Sequence, residues 1–217
     1  MSKIKYFIQQ SWLLIVASFC FGLLIAVTNA ALSPRIQQNE KDKLNNLMRS
    51  LISDANDFQI AIEQVEIPAE KGRVQTTDVY KALGDDGRCA GFAFIAVGSG
   101  FADKIKLVIA VDGKCEKFFG FKVLSSNETP GFGSKIADDD PESDEDFADQ
   151  FKAAPAQALE LIKTSKIEII KKIDSQIVAI SGATVSSDAV VKIFNTYTDK
   201  IREQLRQKGL IGSGKQQ

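Results

Sequence analysis

The first pattern along the chain is a long stretch without charge. Tyr6 to Pro34 holds no Asp, Glu, Lys or Arg, and within it Trp12 to Leu32 is apolar enough and long enough to cross a bilayer as a helix. A cleavable signal peptide is the competing reading. Its apolar region would be shorter, and Thr28-Asn29-Ala30-Ala31 is not a clean small-x-small site, so an uncleaved anchor is expected. Arg35 to Leu51 is polar with Leu44, Leu47 and Leu51 in helical register, which predicts that the helix continues as a stalk until the pattern breaks at Pro68 to Gly72. Beyond it the period changes. Val79–Leu83, Gly91–Val97, Ile105–Val111 and Phe118–Leu124 are β-rich runs separated by Gly84-Asp85-Asp86-Gly87, Gly98-Ser99-Gly100 and Asp112-Gly113, and they predict an antiparallel meander.

Asp138 to Asp149 is dense in acid and lacks EF-hand spacing, so a solvated loop leading into a helix with Phe147 and Phe151 is expected. Pro155 predicts the start of a further helix through Leu159 and Ile162. Ile167–Ile170 and Ile177–Ile180 are β-branched stretches, and the second predicts the strand that delivers the chain to the turn at Ser181. The last element is the best marked. Ala189, Val190, Ile193, Phe194, Tyr197, Ile201 and Leu205 recur at three- and four-residue steps, Lys192, Asn195, Asp199, Lys200 and Glu203 fall opposite, and Gly209 supplies a stop. A meander with a long helix against it is an α+β domain.

Composition narrows the chemistry. A length of 217 residues allows one ordinary domain plus extras, and a net charge of −1 argues against a nucleic-acid partner. The chain has no histidine, which excludes Ser-His-Asp and Cys-His nucleophile systems and a histidine-ligated haem. Three cysteines without a CxxC pair leave no iron–sulfur or zinc ligand set, and no metal site is expected. Cys20 lies in the apolar span. Cys89 and Cys115 fall near strand ends and are open to two readings, a disulfide or two free buried thiols. Redox work by such a chain requires an organic cofactor.

Two short segments can carry chemistry. Ser181-Gly182-Ala183 is a small-residue turn entering a helix whose first turn holds Thr184, Val185, Ser186 and Ser187. A helix start offers unpaired N–H groups and the positive end of a dipole, a seat for phosphate; equally, Ser and Thr there are ordinary caps. Asn127-Glu128-Thr129-Pro130-Gly131-Phe132-Gly133 follows the last strand of the meander, and its Pro and Gly residues shape an exposed loop that fits neither a P-loop nor GxGxxG.

Together these segments resemble the FMN-binding domains of the bacterial Rnf and Nqr electron-transport complexes. Ser181 to Ser187 is similar to the family's flavinylation motif, Ser/Thr-Gly-Ala-Thr-x-Ser/Thr, and Glu128-Thr129-Pro130-Gly131 matches its Glu-Thr-Pro-Gly loop, with Phe132 in place of leucine. Two motifs in the family's order, about fifty residues apart, are more specific than either alone. The resemblance implies FMN bound covalently by a phosphoester on Thr184, with Ser181, Gly182, Ala183, Val185, Ser186, Glu128, Thr129 and Gly131 as cofactor contacts and no catalytic residue of the chain's own. It implies an α+β FMN-binding domain with an antiparallel sheet packed by helices, behind one N-terminal transmembrane helix. The expected layout is tail and anchor (1–34), helical stalk and linker (35–72), FMN-binding domain (73–208) and C-terminal tail (209–217).

By the same resemblance the soluble domain lies on the extracytoplasmic side of the bacterial cell membrane. The Ser186-Ser187 ending and short chain are closer to the Rnf branch, whose complex couples electron transfer from ferredoxin to NAD with ion translocation. Partners implied are the other Rnf subunits, a flavin transferase using FAD and a divalent metal, and membrane lipid. The chain departs from the family pattern at Val178, Ser126 and Ala102-Asp103, positions that bear on tuning of the flavin and not on its attachment. Other readings of the same residues are a stand-alone or Nqr-type tethered flavoprotein carrier and a non-redox tethered binding module.

Overall fold

The computed structural model describes residues 2–69, 72–137, 147–163 and 175–212. The chain forms two compact units, residues 1–43 and 44–217. The first is helical and belongs to α1, Ser2–Leu51, which runs unbroken through Pro34. Trp12, Leu13, Leu14, Phe19, Phe21, Leu24 and Ile25 all stand exposed on it. A helix this long with a bare apolar surface has the length and composition to cross a membrane.

The second unit is α+β. Five strands, β1 (Asp57–Pro68), β2 (Val74–Leu83), β3 (Cys89–Ser99), β4 (Lys104–Asp112) and β5 (Phe118–Ser125), pair in sequence order, each antiparallel to the next. The last three match the expected runs, and β2 extends the first of them back to Val74. β1 is an addition, because it lies in the 35–72 stretch read as stalk and linker. Its register against β2 shifts at Ile60/Ile62 and again at Ile62/Val65, with Gln64 at φ 51°. Those bulges break the period-two alternation that marks a strand in sequence.

The sheet is covered on both faces, and the two faces differ in side-chain size. One carries Phe92, Phe94, Leu107, Ile109, Phe118 and Phe121 and packs against α2, Thr184–Gln207, through Val190, Ile193, Phe194, Tyr197 and Ile201. The other carries Ala82, Ala93, Val108 and Ala110 and packs against Leu44, Leu47, Met48, Leu51 and Ile52. Small residues there let the final turns of α1 lie close to the strands. The leucines that predicted a stalk therefore also form a core layer of the domain. α2 is tied to β3 by polar contacts as well: Val97 N–H donates to Tyr197 Oη at 3.0 Å, and that hydroxyl donates back to the Val97 carbonyl at 3.3 Å.

The helix predicted from Pro155 through Ile162 does not form. The Phe118 N–H donates to the Ala154 carbonyl, Ala153 N–H to the Phe118 carbonyl, and Ala156 N–H to the Glu116 carbonyl, so this backbone extends the edge of β5. Asn195 of α2 then brackets Leu159, donating to its carbonyl at 2.8 Å and accepting from its N–H at 2.7 Å. Backbone groups satisfied in this way have no need of a helical ladder. Residues 160–162 instead form β6 (Glu160–Ile162), parallel to β7 (Gln176–Val178). The β-branched stretch at 167–170 and most of the acidic run, 138–146, lie outside the described residues. Phe147–Phe151 is a 3-10 turn. Cys89 and Cys115 are free thiols, half-buried and buried respectively, and burial raises the pKa of each.

Candidate functional site

Three segments distant in sequence meet at one end of the sheet: the β3–β4 turn, the loop after β5 and the start of α2. Between them is a cavity of about 470 Å³ lined by Phe101 from the first, Glu128, Thr129, Phe132 and Gly133 from the second, and Gly182, Ala183, Thr184, Val185 and Ser186 from the third. Both sequence motifs thus face one space. Ser181 and Gly131 are outside its lining; they shape the turn and loop that flank it, with Gly131 at φ 76° and Gly182 at φ 81°. Two lining aromatics were not singled out as contacts from sequence. Phe101 (68% exposed) and Phe132 (57% exposed) present bare rings at the cavity. The signal that could have found them is an aromatic directly adjoining a glycine turn, in Gly100-Phe101 and Gly131-Phe132.

The entry to α2 is not capped by any side chain. Ala183 occupies the cap position without a side-chain hydrogen bond, so the ordinary role of Ser and Thr at a helix start is not what these residues perform. Ser187 instead ties down the preceding turn, its buried hydroxyl accepting from the Ile180 N–H and donating to the Ala183 carbonyl, both at 3.0 Å. Amide groups of the first helical turn are left for a ligand, and an anion is the ligand they favour. Thr184 sits at that terminus, half-buried, with its side chain on the cavity wall.

Glu128 joins the three segments. It is 6% exposed, its Oε2 accepts from Ser186 Oγ at 2.5 Å, and its Oε1 accepts from the Ala102 N–H at 3.1 Å. The backbone makes room for this carboxylate at two glycines. A Cβ on Gly100 would overlap Oε1, and one on Gly133 would lie 2.6 Å from both Oε2 and Ser186 Oγ. Gly133→Ala must therefore push the carboxylate or the hydroxyl aside and break a buried charge-assisted hydrogen bond, at an expected cost of about 1–3 kcal/mol, measured as a lower midpoint in urea unfolding. The loop itself is closed by its own backbone and one hydroxyl: Phe132 and Ser134 N–H groups both donate to the Thr129 carbonyl, and the Gly131 N–H donates to Ser134 Oγ at 2.9 Å. Asn127 donates to Asp103 Oδ2 at 2.9 Å, and that bond holds the Asp103 pKa below the usual carboxylate range.

The cavity has what a flavin mononucleotide needs: an uncapped helix terminus for the phosphate, a hydroxyl beside it, and exposed aromatic rings for a planar heterocycle. Among the described residues no cluster of His, Cys, Asp or Glu could hold a metal.

Residues 100–199 match the family described as FMN-binding domain. The chain is 29% identical over 181 residues to the G subunit of the proton-translocating ferredoxin:NAD(+) oxidoreductase complex of Clostridium ljungdahlii, covering 82% of this chain and 83% of the relative. It is 26% identical over 191 residues to the G subunit of an ion-translocating oxidoreductase complex of Methanosarcina acetivorans, covering 88% and 92%. The fold is similar to the crystal structure of Shewanella oneidensis NqrC, with a TM-score of 0.53 at 21% identity over 71% of this chain and 73% of that one.

Proposed function

From the match of residues 100–199 to the family described as FMN-binding domain, we propose that this chain is a membrane-anchored electron-transfer component of an Rnf-type ferredoxin:NAD oxidoreductase coupled to ion translocation, and that it carries FMN as a phosphoester on Thr184. The observation that carries the proposal is the shared cavity, which sets the Thr184 side chain, the uncapped start of α2 and the Glu128 loop around one space. The likeness to the clostridial and archaeal relatives over most of both chains supports the complex.

Each part of the chain has a task in this reading. FMN, when bound, supplies reversible uptake and release of electrons. The amides of the first turn of α2 hold its phosphate, and the helix dipole favours the single negative charge that a phosphodiester keeps. Ser187 keeps the entering turn rigid, so Thr184 Oγ is presented at a constant place. Phe101 and Phe132 give the ring apolar faces, and their exposure leaves the site open to a partner. Attachment requires an outside catalyst using FAD and a divalent cation: the Thr184 oxygen bonds to the FMN phosphorus, the bond between the two phosphates breaks, AMP leaves, and the hydroxyl proton goes to the transferase or solvent. The apolar, exposed span of α1 anchors the chain in lipid, and the resemblance to the Rnf and Nqr subunits supports a domain outside the cytoplasm.

In-gel fluorescence of the denatured chain, expressed with and without a flavin transferase, tests the central point. A fluorescent band only with the transferase, and an FMN-sized mass on the peptide containing Thr184, is the expected result. A dark band in both preparations would hand the site to a non-redox binding role.

A further inference from the structure

We infer that Glu128, on the reading that this cavity seats a flavin ring, is a potential-setting residue whose negative charge opposes the charge gained on reduction. The chemistry of the lining points to it. Among the ten described residues around the cavity, Glu128 alone is ionisable, and none is a lysine or arginine. A site built to stabilise electron-rich ring forms would place a cation or free dipole beside the ring. Here the fixed charge has the opposite sign.

The positive end of α2 acts on Glu128 as well, through Ser186 in its first turn, but the phosphate of a phosphoester on Thr184 would draw on the same amides and dipole. A ring seated in the cavity would face a carboxylate removed from solvent, and a buried charge acts through a medium that screens it weakly. Glu128 is also held in place. Ser186 Oγ at 2.5 Å and the Ala102 N–H at 3.1 Å fix its two oxygens, and Gly100 and Gly133 omit the Cβ atoms that would displace it. Where one-electron reduction would add negative charge to the ring without proton uptake, Glu128 would raise the free energy of the reduced form, so the potential would fall and the electron would be passed on more readily.

A structural clasp alone would lower stability when broken without a set direction in potential, and that difference is the test. Full-length chain, flavinylated by co-expression with the transferase and purified in detergent, is reduced stepwise with dithionite and mediator dyes while the visible spectrum is followed. Glu128→Gln is expected to shift the midpoint upward, and the shift should persist in high salt because the charge is buried. Ser186→Ala keeps the charge and removes one of its two donors; a downward shift is expected. A folded Glu128→Gln protein with the wild-type midpoint overturns the inference. Where thermal unfolding shows that Glu128→Gln does not fold, Ser186→Ala decides, and an unchanged or raised midpoint overturns it. Peptide mass is read first in every sample. A wild-type chain that takes no flavin overturns the functional reading and this inference with it, whereas a loaded chain with unmoved potentials overturns this inference alone.

Discussion

Thr184→Val is expected to abolish covalent flavin while leaving the fold intact. Valine keeps the β-branched shape and half-buried volume of threonine and lacks only the oxygen. Among the described residues the Thr184 hydroxyl makes no hydrogen bond, and the helix terminus has no side-chain cap to lose. The stability change should fall within about 0.5 kcal/mol, as for substitutions that remove no contact. Mass analysis of the peptide reads the attachment and thermal unfolding reads the fold. Full loading in the valine variant would move the linkage elsewhere and remove Thr184 from the site. Thr184→Ser, which restores a hydroxyl, is expected to recover flavin.

Phe194→Ala is expected to have the largest effect on stability. Its ring meets Phe151, Phe118 and Phe121 at centroid distances of 4.5, 4.9 and 5.5 Å, the last two edge-to-face, and it is fully buried. Removing it opens a cavity between α2, the sheet and the 3-10 turn at Phe147–Phe151, at a cost of about 3–5 kcal/mol. The denaturation midpoint in urea measures the loss. Thr184 is ten residues earlier on the same helix, so flavin loading should fall with stability. A variant that kept the wild-type midpoint would mean that the aromatic cluster is not the core of the domain.

These predictions rest on features read from different levels. The apolar face of α2 was legible because its seven positions repeat locally and all seven are buried. Four strands of the meander were legible because glycine turns separate them. β1 was not, because two bulges interrupt its alternation, and the segment around Pro155 was misread because its hydrogen-bond partners, Phe118, Glu116 and Asn195, come from elsewhere in the chain. Periodicity alone places Asn195 on the polar face of α2.

The sequence by itself determined a bilayer-length apolar stretch, an antiparallel meander, an amphipathic final helix and two glycine-bearing motifs, since each is contiguous or periodic and depends on the dihedral freedom and polarity of neighbouring residues. Only the tertiary structure decided that the two motifs line one cavity, that Phe101 joins them, that the helix start is uncapped, and that Glu128 reaches Ser186 across 58 positions. A residue's burial and partner depend on which segments the packed sheet brings together, and no local pattern encodes that meeting.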